Sequence, residues 1–177
     1  MTTEHIAAAM ERVQTVLRRR PEMGLHDDAP ATAAWQGDTR VVVGHGNGTQ
    51  VPTDMPAELG GTGDLVTPGW LFRAGLASCA TTSIALTAAT QGIELGALEV
   101  RVSSRSDTRG LLGMADEHGQ PVAAGPGDVT MSVRIAAPGV AAERLRALVE
   151  AACRCAPIPH AVERATPLAL RIDVAAG

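Results

Sequence analysis

The chain has 177 residues, 15 basic and 19 acidic, and a net charge of −4. It is long enough to bury one core and has no basic excess of the kind that binds nucleic acid. Its only aromatic residues are Trp35, Trp70 and Phe72, which weakens base stacking as a binding mode.

Residues 4–19 predict an amphipathic helix, with Ile6, Met10, Val13 and Leu17 on one stripe. Thr3 is a candidate N-cap with Glu4 just inside. Arg18, Arg19 and Arg20 close the helix in accord with its dipole. The stretch MTTEHIAAAMERVQ lacks the charged-then-apolar pattern of a secretion signal. The three cysteines do not fall in a disulfide framework. Both features predict a cytoplasmic protein in a reducing compartment. Residues 1–24 are read as an N-terminal helix and linker, and residues 25–177 as one domain.

Short strands are predicted at ATAAW (31–35) and TRVVVG (39–44), joined by a tight turn. HGNG (45–48) contains Asn-Gly, which predicts a type I′ hairpin turn because that turn needs two positive φ angles. A glycine-rich loop (55–69) has no phosphate-binding spacing. A long helix follows over 68–91, with Thr67 as cap, Pro68 at the first position and Gly92 as the left-handed stop. At ~1.5 Å per residue it would be about 36 Å long. The run 74–90 is uncharged and close to the length of a membrane span. Its threonines and serines, with Arg73 beside it, argue instead for a buried helix and no membrane. Hardly any face of it is charged, so protein must cover both sides, as a dimer of two such helices would.

Strand patterns recur at 97–107, 128–136 and 167–174, and a second helix over 141–155 carries Leu145, Leu148, Val149 and Ala152 on one face, stopped by Pro157. TRGLLGM reads as an irregular extension. The order β-β-β-α-β-β-α-β indicates an α+β fold with helices on antiparallel sheet.

Cys79 falls in the middle of the long helix, with Leu76, Thr82, Ser83 and Leu86 on its face at helical spacing. A buried, inert cysteine is one reading and a reactive thiol is the other. Cys153 and Cys155, two apart at the end of the second helix, point to opposite sides. A metal site from Cys153, Cys155 and His160 lacks a fourth ligand, so no metal is expected. No Gly-x-Ser-x-Gly elbow is present.

Three segments together resemble the OsmC/Ohr superfamily, the osmotically induced and organic-hydroperoxide-resistance proteins. They are MPAELGG…TPGWLFRAGLASCATTSIALTAATQGIELGALEVRV, then SDTRGLLGM, then VEAACRCAPI…PLALRI. The resemblance spans about Ala31 to Val174. It implies an intertwined homodimer, with antiparallel sheets wrapped around long central helices, here with an extra N-terminal helix. It also implies a cofactor-free thiol peroxidase whose substrate is an organic hydroperoxide and whose reductant is a dithiol. The first cysteine acts on the peroxide and falls on Cys79. The second, which condenses with the first, lies in the family immediately before the proline. That position here is Ala156, so Cys155, one residue early, is the nearer candidate and Cys153 the other.

A thiol with a pKa of about 8.5 needs activation at pH 7, and a mid-helix site gains little from the helix dipole. The family supplies an arginine from the first hairpin and a glutamate at the start of the cysteine helix. Those positions here are Gly37 and Gly69. Arg40, three residues on, is the candidate substitute. Arg73 is about 120° around the helix from Cys79, and Glu58 is the nearest upstream acid. Leu76, Thr82 and Phe72 are the candidate substrate contacts. The primary reading is a thiol-dependent hydroperoxide reductase. The alternatives are a dimer of the same fold that binds an apolar small molecule or senses redox state, and an unrelated α+β domain with structural cysteines.

Overall fold

The structure is a computed structural model and describes residues 3–175. Helix α1 spans Thr3–Arg19 and packs on the long central helix. Of its predicted stripe, Ile6, Met10 and Leu17 are half-buried, whereas Val13 is exposed.

Strands β1 (Thr32–Gly37), β2 (Arg40–Gly44) and β3 (Gln50–Thr53) form one antiparallel sheet in the order β1-β2-β3. The β2–β3 connection is not the expected type I′ turn. Only Gly48 has positive φ (90°), and its N–H donates to the His45 carbonyl at 3.0 Å. This is the turn closed by a left-handed glycine that also joins hairpins. The reason is local. Asn47 Oδ1 accepts the Thr49 N–H at 2.9 Å, and the Asn47 N–H donates to His45 Nδ1 at 3.2 Å. These bonds hold Asn47 outside the left-handed region.

Helix α2 (Pro68–Thr90) begins and ends where its local chemistry requires. Thr67 Oγ1 accepts the Trp70 N–H at 3.2 Å, Pro68 takes the first position, and Gly92 follows with φ 63°. Strands β4 (Ala97–Arg105) and β5 (Gly127–Ala136) pair antiparallel as a second sheet. The predicted irregular extension between them holds a short helix α3 (Thr108–Leu111), capped by Asp107, whose carboxylate accepts the Arg109 N–H.

The core lies where α2, the second sheet and helix α4 (Ala142–Arg154) meet. Ile84 and Ala88 of α2, Ile93, and Leu145, Leu148 and Ala152 of α4 are buried together. Leu98, Val100, Val133 and Ile135, the inward residues of β4 and β5, pack against them.

Two expectations fail at the C-terminal end. Pro157 does stop α4, but it also starts a new helix, α5 (Pro157–Glu163), because its fixed φ suits a first helical position. The strand predicted at 167–174 does not form within the chain. Its alternating Leu168, Leu170, Ile172 and Val174 are 77–96% exposed. The pattern is that of a strand, but among the described residues no strand pairs with it, and strands form only as ladders.

Helix α2 is also incompletely covered. It is long and apolar enough to cross a membrane by length and composition, and only 22% of its most apolar window is buried. The buried residues are Leu76, Ala80, Ile84, Ala88 and Ala89, while Trp70, Ser78 and Thr82 lie along an exposed stripe. One chain therefore covers one side of the helix.

The packing makes Leu148, at 1% exposed, the most consequential side chain of α4. Leu148→Ala should cost about 2–5 kcal/mol, read as a lowered urea midpoint with an unchanged slope.

Candidate functional site

Cys79 lies near the middle of α2, half-buried and not in a disulfide. Helix α5 crosses α2 at this point. The Ile158 N–H, in the first turn of α5, donates to Cys79 Sγ at 3.4 Å. Ile158 packs over Gly75, one turn before the thiol; a Cβ there would meet Ile158 Cδ1 at 3.8 Å. The same Pro157 that ends α4 thus aims a main-chain donor at the cysteine. That contact was not legible in the sequence, because a proline one residue beyond a helix reads as a stop.

Leu76, on the next turn of α2, is buried and lines a small apolar pocket of about 130 Å³. Val102, Val129 and Met131 of the second sheet and Pro159 and Val162 of α5 complete the walls, with Glu163 at the rim. Leu76 stands three residues before Cys79, so the pocket and the thiol share one side of α2. Thr82 instead faces out, on the exposed stripe. Phe72 lines a separate cleft near the start of α2. The three expected substrate contacts are therefore not gathered in one cavity of the single chain.

The two other cysteines differ sharply. Cys153 is half-buried and packs against the core. Burial pushes its thiol up, and the Glu163 charge adds to the shift. Cys155 caps α4 and is exposed. The chain does leave helical geometry before Pro157, with Ala156 extended at ψ 116°. The side chain that turns inward is Ala156, fully buried. Among the described residues no three His, Cys, Asp or Glu side chains are grouped to hold a metal ion.

Arg40 sits in an acidic clamp. Its Nη2 donates to Asp64 at 2.9 and 3.0 Å and to Thr62 Oγ1 at 3.0 Å, and its Nε is 3.5 Å from Asp54 Oδ2. Asp54 is 1% exposed. It accepts from the Thr39 hydroxyl, the Thr62 N–H (3.0 Å) and hydroxyl (2.7 Å), and the Met55 N–H (2.8 Å). These donors, Thr39 first, hold its carboxyl far below the usual carboxylate range. Asp64 is also lowered, first by the Thr62 hydroxyl, whose one proton serves either Asp64 or Asp54 at a time, and then by Arg40. The clamp ties β2 and β3 to the glycine-rich loop. Sequence reasoning missed it, because Asp54 and Asp64 stand in a loop with no motif. Gly61 is part of it: a Cβ there would stand 1.8 Å from the Met55 carbonyl oxygen.

The family model for OsmC-like proteins matches residues 61–171. This chain belongs to the OsmC-like family. No curated protein matches it. Its fold is similar to that of an organic hydroperoxide resistance protein from Elizabethkingia anophelis, at TM-score 0.59 and 25% identity, over 78% of this chain and 89% of that one. An OsmC-like protein from Mycoplasma pneumoniae matches at TM-score 0.64 and 16% identity, over 78% and 89% of the two chains. An organic hydroperoxide resistance protein from Legionella pneumophila matches at TM-score 0.54 and 24% identity, over 78% and 90%. The α+β fold of antiparallel sheets and helices is that of these proteins.

Within this OsmC-like chain, Gly37 has φ 113° and open space around it. Gly69 opens the first turn of α2, with the Arg73 guanidinium 3.7 Å from where a Cβ would stand.

The clamp has a testable signature. Asp54→Asn would point an amide NH₂ at donors that need an acceptor, so the thermal midpoint at pH 7 should fall. The folded pKa of Asp54 lies below its unfolded value of about 3.9. Its stabilisation is therefore present above that pH and is lost as pH falls through and below it. The gap between wild type and Asp54→Asn should be widest near neutrality and narrow below about pH 4, as read by thermal unfolding at several pH values.

Proposed function

We propose that this OsmC-like protein is a thiol-dependent reductase of organic hydroperoxides, working as a cytoplasmic homodimer. The observation that carries the reading is the Ile158 N–H donated to Cys79 Sγ at 3.4 Å, beside an apolar pocket floored by Leu76. A main-chain N–H pointed at sulfur suits a thiolate better than a thiol, since the anion is the stronger acceptor. The apolar pocket suits the organic half of a hydroperoxide. The Elizabethkingia anophelis protein of similar fold is an organic hydroperoxide resistance protein.

In this reading the Cys79 thiolate attacks the terminal peroxide oxygen and the O–O bond breaks. The alcohol leaves after taking a proton from solvent, and Cys79 becomes a sulfenic acid. The Cys155 thiolate then attacks that sulfur, hydroxide leaves as water, and a disulfide forms. An external dithiol reduces it by exchange and is itself oxidised. Cys155 is the better second thiol. It is exposed and sits at the non-helical joint before Pro157, whereas Cys153 is packed in the core with its thiol pushed up. A disulfide needs Cα atoms about 4.4–6.8 Å apart, so this reading requires Cys155 to come within that span of Cys79.

Two uncovered surfaces support the proposed dimer. The stripe of α2 bearing Trp70, Ser78 and Thr82 would pack on the partner's helix. The unpaired segment 167–174 would add as a strand to a sheet of the partner, placing Leu168, Leu170, Ile172 and Val174 in contact with protein. In this reading α2 is covered by protein, not lipid.

A second reading is an OsmC-like dimer that binds an apolar molecule or senses redox state. The engagement of Arg40 by Asp64 and Asp54 favours it, since that guanidinium is already neutralised. Native mass spectrometry of the purified dimer tests it, with a retained ligand as the expected result.

Two outcomes check the primary reading. Cys79→Ser should abolish cumene hydroperoxide turnover with a dithiol reductant, while Cys153→Ser leaves it within about twofold; unchanged turnover in Cys79→Ser contradicts the reading. Ending the chain at Thr166 should convert a dimer to monomer or aggregate by light scattering. A dimer that survives this removal rules out the exchanged strand.

A further inference from the structure

A cleft of about 570 Å³ lies at the start of α2 and has no part in the chemistry above. That volume is within the range of small-molecule sites. Its walls are apolar: Met55 and Leu59 of the glycine-rich loop, Phe72 of α2, Leu111 of α3, and Pro126. Arg73 also lines it. Cys79 does not, being six residues on, about 9 Å along the axis and about 120° around it.

The charges in this cleft are unbalanced in one direction. Asp107 faces it, but both of its carboxylate oxygens are taken by Arg109, at 2.6–3.1 Å. Arg73 makes one long hydrogen bond, to Ser104 Oγ at 3.4 Å, and no ion pair among the described residues. It is the only charged side chain of α2. A half-buried guanidinium on an apolar wall is unfavourable without an anion.

Gly69 explains why the charge stays open. It stands four residues before Arg73, where an acidic side chain would form a helical ion pair with it. The Gly69 Cβ position is 3.7 Å from Arg73 Nη1, so a glutamate there would cover the guanidinium. Glycine leaves it facing the cleft.

We propose that this cleft binds an amphipathic carboxylate, whose apolar chain lies against Leu59, Phe72 and Leu111 and whose carboxylate pairs with Arg73. The planar fork of arginine matches a carboxylate with two parallel hydrogen bonds. The site does not rest on the chemistry of Cys79.

The test is calorimetric titration of the full chain with decanoate and with 1-decanol. Wild type should bind decanoate saturably and at least tenfold more tightly than 1-decanol. Arg73→Met should weaken decanoate at least tenfold and leave 1-decanol unchanged. Gly69→Glu should do the same while keeping Arg73 in place, and it suits the first turn of a helix, so it remains informative if Arg73→Met fails to fold. Cys79→Ser should bind decanoate as wild type does, which separates this site from the thiol. No decanoate binding, equal affinity for acid and alcohol, undiminished binding in Gly69→Glu, or binding lost in Cys79→Ser would each overturn the proposal.

Discussion

Helix α2 has 23 residues and one charged side chain, and a single chain buries only one of its sides. The rest of the structure is arranged around that constraint. The second sheet and α4 seal the C-terminal half of the helix, where Ile84, Ala88, Leu145 and Leu148 close the core. Helices α1 and α5 lie over other parts. The stripe through Trp70, Ser78 and Thr82 stays open, and so does the alternating segment 167–174. These two bare surfaces, the α2 stripe and the apolar residues of 167–174, are the ones that the proposed homodimer would cover.

The same constraint shapes what the thiol can do. A cysteine deep within a long helix gains nothing from that helix's own N-terminus, so its electrostatic surroundings must come from other elements. Helix α5 supplies a main-chain donor from the first turn after Pro157. Arg40 is spent within the sheet, where Asp54 and Asp64 use it to fasten the glycine-rich loop. At the start of α2, Gly69 places no acidic side chain beside Arg73. The start of α2 therefore carries one cation, Arg73, beside an apolar cleft, with no carboxylate on the helix to pair with it.

How much of this was legible in the sequence depends on whether the signal is local. The bounds of α2 were, because Thr67, Pro68 and Gly92 act on their own neighbours. Strands β1, β2, β4 and β5 and helix α4 were, because period-2 and period-3.6 patterns survive without tertiary knowledge. Helix α5 was missed because Pro157 carries two opposite meanings, a stop for α4 and a start for the next turn. The Asn47-Gly48 turn differed because Asn47 used its side chain to bond the backbone of Thr49. The final strand was legible as a pattern and absent as a structure, since a ladder needs a second strand that this chain does not offer. Cys79 was found as a position, but its contact with Ile158 joins residues 79 positions apart, and no spacing rule reaches that far. The clamp around Asp54 was invisible for the same reason.

The central claim is that Cys79 is a reactive thiol whose partner lies at the joint between α4 and α5. The most direct measurement is to treat the reduced protein with one equivalent of cumene hydroperoxide and map the products by peptide mass spectrometry. A disulfide linking Cys79 to Cys155, or a trapped sulfenic acid on Cys79 when Cys155 is replaced by serine, is the predicted result. Recovery of Cys79 as an unmodified thiol, with oxidation absent or confined to Cys153 and Cys155, would contradict it.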